Sequence, residues 1–472
     1  MNYSNILIPM ILSYLYWSTH PIRDNMDNKS IAAIALVAII VVAGVAAFLI
    51  MNGDNSGDAD NSLSCKLRVY GNANMDNYLD EKDSAYIQDI IDGKTVWNRD
   101  THPLADANND GVINSQDVTL VKKFIAGSSA TMYYLDQNGA VRSVPFPLTD
   151  VLGSNYGICT EWTTGIDMAY ILGLEDRVTY IATSDVVPSK LDPALYPNVG
   201  KMKTFAMRNP SLPTLWDDGV RILLGDHPRG FGSYSEEAAS LGFTIVKLPL
   251  NRYVSNVGPL DTLITLGVMF GVQDNTKSFI EFTEKSYAEL EKAINKSKTT
   301  AVSYVIPYIA PEYESFWIDA HGAGAMTTAD VNLIDLLPMI SKITTTAADG
   351  FDEVTIDMAV AANPDVFISA MYAFATDKSV TVDQYKQAFK TWMEYGFDKS
   401  TAGKNDKLFA VPFEDCSLPI YATAYILASM VWPDSFNAET GWKLLQEYYD
   451  NFTHFDGDVK NSKFAPLSYK DL

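Results

Sequence analysis

The stretch that most restricts how this chain can fold is Asp274 to Lys298, DNTKSFIEFTEKSYAELEKAINKSK. Phe279, Phe282, Tyr287, Leu290 and Ile294 recur at helical spacing, Asp274 or Asn275 stands where a cap is needed, and charged residues fill the opposite face. This spacing predicts one long amphipathic helix over 274–298. Before it (131–273) and after it (299–472), apolar runs of strand length alternate with helical patterns, each segment long enough for one α/β unit. The pattern predicts two α/β lobes bridged by one helix, with a ligand cleft between them. Pattern alone equally allows a core helix in one large domain.

With 472 residues, 47% apolar and 12% aromatic, the chain can bury large cores, and its length suits about three domains. A formal net charge of −23 without any basic run argues against nucleic acid or anionic lipid as partner. Cys65, Cys159 and Cys416 are too scattered for a disulfide framework or a cysteine zinc site, and the five histidines are equally dispersed.

Ile31 to Met51, IAAIALVAIIVVAGVAAFLIM, carries no charge and, at 1.5 Å per residue, is long enough to cross a hydrocarbon core of roughly 30 Å. Arg23 and Lys29 precede it and acidic or small polar residues follow, so the positive-inside rule puts the bulk of the chain outside the cell. We expect a cytoplasmic segment 1–30, a transmembrane anchor 31–51 and a polar linker 52–65. The competing reading is a cleaved signal peptide, but the run is longer than the usual apolar region and no A-x-A site follows. Met26 opens a more ordinary anchor than Met1 does.

An internal repeat follows. Asp106 to Asp117, DANNDGVINSQD, places Asp106, Asn108, Asp110 and Asn114 at positions 1, 3, 5 and 9, Gly111 at the turn and Asp117 at position 12. Asn72 to Asp83, NANMDNYLDEKD, repeats this with Asn72, Asn74, Asp76, Asp80 and Asp83, and Asn77 at the turn. Hard oxygen donors at alternate positions around a tight turn are what an EF-hand-like loop needs to wrap Ca²⁺. Each loop leads into an apolar-striped helix ending in glycine, Gly93 or Gly127. The pair, 66–128, resembles the type I dockerin module, which implies Ca²⁺ in both loops and a cohesin domain as partner. It departs in Asn72 for aspartate, in Asn77 for glycine and in a longer insertion between the repeats.

From Thr131, MYYLDQNGAVRSVPFP reads as a hairpin turning at Asn138-Gly139. YGICTEWTTGIDMAYILGLEDRVTYIA reads as a strand into Cys159, a loop with Glu161 and Trp162, a helix ending near Gly173 and a strand from Arg177 to Ala182. This run, then LYPNVGK, GVRILLGD, AVSYVIPYI, FDEVTIDMAVAANPDVFIS and KLFAVPFEDCSLPIYATAYILASMVWPDSF, resembles the substrate-binding proteins of iron-siderophore, haem and cobalamin ABC transporters. The likeness covers about Ser143 to Phe436. It implies two α/β lobes bridged by one helix, little closure on the ligand, a metal chelate in the cleft and an ABC permease as partner. It also implies permease docking through Asp357, whereas the first lobe has Ser211-Leu212-Pro213 where the family shows a glutamate.

Candidate cleft residues are Glu161, Trp162, Thr163, Arg229 and Phe231 from the first lobe and Trp317, His321, Tyr372 and Glu414 from the second. Aromatics and an arginine suit a flat, partly anionic chelate through stacking and charge pairing. Without a GxSxG elbow, an HExxH helix or a phosphate loop, the sequence favours binding over catalysis. The leading expectation is a membrane-tethered extracytoplasmic protein that captures a ferric siderophore, haem or cobamide for an importer. The alternative is a surface-assembly or polysaccharide-associated protein working through a cohesin.

Overall fold

The computed structural model describes residues 66–183, 188–206, 211–226, 231–250, 257–296, 363, 365–371 and 375–472, and five short strands between 302 and 354. The expected anchor, its flanks, and Arg229, His321, Asp357 and Tyr372 lie outside the described residues. Among the described residues no helix is long and apolar enough to cross a membrane. Leu63–Leu472 forms one unit, separate from Met1–Ser62.

Each loop of the repeat runs into a helix, α1 (Glu81–Ile91) and α2 (Ser115–Ile125). Both open with a capping box: Asp80 and Asn114 accept amides of the first turn, while Asp83 and Asp117 accept the cap residue's own amide at 2.8 Å. Gly93 and Gly127 follow them at φ +71° and +65°, the left-handed geometry that ends helices and that a Cβ disfavours.

The repeat module is bonded to the first lobe. Arg68 to Tyr70 runs beside strand β1 (Ala130–Leu135) as an extra strand, with the Tyr70 amide on the Tyr133 carbonyl (2.9 Å) and the Leu135 amide on the Arg68 carbonyl (3.0 Å). β1 in turn pairs with β2 (Val141–Phe146) around Gly139, as the Asn-Gly signal predicts. The Phe124 ring of α2 meets Phe146 of β2 edge-on at 5.0 Å. The Gln273 side chain both accepts from and donates to the backbone of Leu79, at 3.0 and 2.9 Å.

The first lobe is a parallel sheet in the order β5-β4-β3-β6-β7. Its elements in chain order are β3 (Gly157–Glu161), α3 (Thr164–Ile171), β4 (Val178–Thr183), β5 (Lys203–Ala206), β6 (Val220–Leu224), α4 (Phe231–Ser240) and β7 (Thr244–Val246). β3 is buried along its whole length, as a central strand covered on both faces must be. Helix α5 (Pro259–Met269) is buried at every position. At its amino end Asp261 accepts the amides of Gly258 and Lys66, and burial pushes its carboxyl up to about 6 against the pull of those bonds.

The bridging helix, α6, spans Lys277–Lys296, so it begins three residues later than the pattern predicts, after a 3₁₀ turn, Gln273–Thr276. Neither expected cap is used as one. Asn275 donates its amide to the Leu172 carbonyl (2.8 Å) and Asp274 pairs with Lys277 (2.6 Å), so tertiary partners took the groups that would have started the helix earlier. Phe279, Phe282 and Leu290 are buried as predicted, and Tyr287 and Ile294 are half-buried.

In the second lobe, β8 (Val302–Val305) and β9 (Pro307–Ile309) lie parallel to β13 (Val366–Met371). Short strands β10 (Phe316–Ile318), β11 (Ile340–Lys342) and β12 (Asp352–Val354) extend that side. Beyond helix α7 (Val382–Met393), β14 (Leu408–Pro412) joins β13 in parallel, and β15 (Leu467–Ser468) closes the edge antiparallel. Helices α8 (Ile420–Val431) and α9 (Ala438–Phe452) carry α6 on an aromatic seam: Phe279 on Phe452 at 5.3 Å, Phe282 on Tyr448 at 5.9 Å and Tyr287 on Tyr421 at 5.2 Å.

Phe279 is 1% exposed, so Phe279→Ala leaves a cavity in this seam. Urea unfolding of the unit from Leu63 onward is expected to show a loss of about 3–5 kcal/mol. A loss below about 1 kcal/mol would mean that the seam does not hold the lobes together.

Candidate functional site

In an open α/β sheet, ligands meet the carboxyl ends of the strands where the strand order reverses. Here that point lies between β3 and β6, and Glu161 and Gly225 stand at it. Glu161 is 2% exposed, and its Oε1 accepts the Phe231 amide at the first turn of α4 (2.8 Å). Gly225, at φ +131°, has no room for a side chain, because an added Cβ would fall 2.2 Å from Glu161 Oε2. Glu161 therefore fastens α4 to the end of β3. Phe231 is likewise buried, facing Phe205 at 6.1 Å, and belongs to the core of the lobe.

Trp162 follows with φ +61°, the left-handed region that costs a non-glycine residue about 1 kcal/mol or more. This kink turns the chain from strand to helix, so that Thr163 reaches the Tyr196 hydroxyl. Tyr196 also bonds the Asp167 carboxyl on α3. Across the lobe boundary, Glu414 lies just beyond β14 and acts electrostatically on both Asp167 and Tyr196. Thr163 and Glu414, both expected from sequence, are thus linked through two residues that were not.

Asp167 retains some surface toward a cavity of about 10 Å³, room for about one water, yet is otherwise enclosed by protein atoms. Burial, then the Glu414 charge, raises its carboxyl to about 7, and the Tyr196 hydrogen bond only partly offsets this. Beside it, Asp415 is wholly buried, with Oδ1 accepting the Tyr449 hydroxyl and Oδ2 lacking a hydrogen-bond partner. Burial lifts the Asp415 carboxyl well above its usual range. Burial also raises the Tyr196, Tyr448 and Tyr449 hydroxyls, with nearby carboxylates adding to the effect. The lobes therefore meet on an oxygen-rich cluster in which burial favours the neutral, hydrogen-bonding form of Asp167, Asp415 and the three tyrosines.

Backbone bonds fasten the same boundary. The Asp192 amide meets the Thr376 carbonyl and the Lys378 amide the Lys190 carbonyl, each at 2.9 Å, and Lys463 pairs with Asp192 at 3.6 Å. His454 reaches Glu175 at 2.7 Å and lies against the Tyr170 ring. Trp317 lies in β10 opposite Tyr308 and Glu353, whereas Arg229, His321, Tyr372 and the expected docking residue Asp357 fall outside the described residues. Sequence reasoning missed Asp167, Tyr196, Asp415, Tyr448 and Tyr449. The available signal was a lone carboxylate in the otherwise apolar run GIDMAYIL.

In the repeat, the acidic side chains face their own backbone. Asp106 accepts the amides of Asp110 and Gly111 at 3.1 and 2.7 Å, Asp117 those of Asn108 and Asn114, Asp110 that of Val112, and Asp76 that of Tyr78. Asn74 accepts from Asp76 and gives its amide to it. Among the described residues no three His, Cys, Asp or Glu side chains gather closely enough to hold a metal ion.

No family model matches the chain, and no curated protein is similar to it. Solved structures are similar. A TroA-like periplasmic binding protein, FepB, from Veillonella parvula matches at 12% identity over 71% of this chain and 99% of that one, TM-score 0.54. A periplasmic solute binding protein from the same organism matches at 11% over 70% and 95%, TM-score 0.51. An ABC transporter solute binding protein from Sulfurospirillum deleyianum matches at 13% over 70% and 98%, TM-score 0.50. At such identities the likeness shows the fold alone: an α/β periplasmic-binding-protein fold.

Replacing Asp167 tests the electrostatics of the boundary. A carboxyl raised from 3.8 to about 7 on folding binds more protons folded than unfolded across that window, so its contribution to stability falls as pH rises from about 4 to 7. Asp167→Asn, which keeps a partner for Tyr196, is expected to be the more stable form at pH 8 by a few kcal/mol, with little difference at pH 4. Equal unfolding midpoints at both pH values would contradict this placement.

Proposed function

We propose that this chain is an extracytoplasmic solute-binding protein, tethered by 31–51, that captures a metal chelate and hands it to an ABC permease. The observation that carries the reading is that Thr163, at the switch point of the first-lobe sheet, and Asp167 both hydrogen-bond Tyr196, close enough to Glu414 at the end of a second-lobe strand to feel its charge. A ligand outside those strand ends would touch both lobes. The ties across the boundary, Asp192 to Thr376 and Lys463 to Asp192, suit a body that closes little. Release then depends on a partner acting on both lobes, and no bond of the ligand is made or broken.

Ferric siderophore, haem and cobamide are the cargo classes in view. Tryptophan fluorescence of the unit from Leu63 onward, titrated with each, tests the reading through Trp162. Saturable quenching by one class at micromolar or lower concentration, reduced in Trp162→Phe, is expected. A folded protein that responds to none of them would refute chelate capture.

The repeat is proposed to bind Ca²⁺. Its fit rests on Asn72, which is 1% exposed and has an Oδ1 atom with no hydrogen-bond partner at the first position of its loop. The carboxylate oxygens that accept one backbone amide each keep a second lone pair for a cation; Asp83 Oδ1 accepts both the Ala73 and Asn74 amides, so Asp83 would ligate through Oδ2. Asn72, Asn74, Asp76, Asp80 and Asp83 would hold one ion, and Asp106, Asn108, Asp110, Asn114 and Asp117 the other; the ion would neutralise clustered carboxylates. Because the module shares bonds with the first lobe, Ca²⁺ is expected to raise the melting temperature of the whole unit, and chelation to lower it by several degrees. Identical melting curves with Ca²⁺ and with chelator would remove the ion from this account. The second reading, docking to a cohesin, is favoured only by the duplicated loops, and a cohesin pull-down in Ca²⁺ decides it.

A further inference from the structure

A groove of about 650 Å³ runs between strand β2 and strand β7, away from the lobe boundary. Both strands are sheet ends, since β2 pairs only with β1 and β7 only with β6 among the described residues. Ladder geometry shows what their outer edges present. The Asp136 amide donates to the Ala140 carbonyl, so Arg142, Val144 and Phe146 point their backbone groups at β1, and Val141, Ser143 and Pro145 point theirs into the groove. The bonds from Tyr133 and Leu135 to Tyr70 and Arg68 confirm this alternation on β1. On β7, the Val246 carbonyl accepts the Gly225 amide, so Ile245 turns outward. The Lys247 amide beyond it is already taken by the Tyr134 hydroxyl at 2.9 Å.

The β1 edge is bridged by the repeat module, whereas β2, which lies near β7 at the groove, has no hydrogen-bonded strand partner on its outer side among the described residues. Pro145 removes one donor there, but Ser143 and Val141 retain theirs, and both residues are exposed. Two cations flank the groove in a chain of net charge −23. Arg142 spends its Nε on Asp136 (2.8 Å), and Lys247 gives one proton to Ser235 (2.8 Å). Arg142 keeps both terminal nitrogens and Lys247 two protons for other acceptors. Glu236 is the single carboxylate among the lining residues.

We propose that the β2 edge is a docking site for an extended acidic peptide segment of a partner protein, which adds as a strand along Val141–Pro145. Main-chain bonds to Val141 and Ser143 hold it, and its carboxylates meet Arg142 and Lys247. A second copy of this chain is disfavoured as occupant, because edge-to-edge pairing of β2 strands would bring the two Arg142 side chains together.

The test is fluorescence anisotropy of the full chain in detergent micelles with a labelled peptide alternating glutamate with valine and threonine. Its lysine counterpart and a version N-methylated on alternate residues serve as controls. The acidic peptide is expected to bind and both controls to fail. Ser143→Pro, which deletes only an outward N–H, and Lys247→Glu are each expected to weaken binding about tenfold or more, with melting temperature unchanged. The proposal is overturned if the acidic peptide does not bind, if a control binds equally well, or if both variants bind like the parent. Concentration-dependent dimers abolished by Lys247→Glu or Ser143→Pro would assign the edge to a second copy and overturn it as well.

Discussion

The aromatic seam under α6 is the contact on which the rest of this body depends. The helix starts on the first lobe, where Asn275 is bonded to Leu172, and then lies on α8 and α9 of the second through Phe279, Phe282 and Tyr287. Burying one phenylalanine contributes on the order of 2 kcal/mol or more, and several in one seam exceed any surface ion pair in the molecule, Lys285–Glu447 included. Because α9 also carries Tyr448, Tyr449 and, just beyond its end, His454, the seam fixes where the second lobe's polar groups meet Asp167 and Glu175. The lobe boundary is thus positioned by apolar packing and only then tuned by charge.

Features with a local physical cause were legible in the sequence. The Asn138-Gly139 turn, the glycines ending both repeat helices and the stripe of α6 each follow from a backbone angle or a period that few residues satisfy. Features set by a distant partner were not. Nothing near Glu161 in the chain announces that Gly225 and the Phe231 amide enclose it. Phe231 was an aromatic after a loop, and only the fold reveals that it faces Phe205. That the repeat module bridges β1 was not legible, since nothing near Arg68 announces it. Asp167 was missed because its neighbours, Tyr196 and Glu414, come from distant parts of the chain.

The body combines an apolar frame with a polar meeting surface. At that surface, burial raises the carboxyls of Asp167 and Asp415 and so favours their neutral forms, which lowers the repulsion each feels from the nearby Glu414 charge. Trp162 stands at its rim in a strained conformation that the surrounding packing maintains. The repeat module is bonded to the first lobe through Arg68 and Gln273, and β2 has no hydrogen-bonded strand partner on its outer side among the described residues.

The central claim is that a ligand sits outside the ends of β3 and β14 and touches both lobes. Hydrogen exchange of the unit from Leu63 onward, with and without a bound chelate, tests it most directly. The account predicts ligand-dependent protection at both Glu161–Thr163 and Phe413–Cys416. Protection confined to one lobe, or located only at the repeat module, would contradict it.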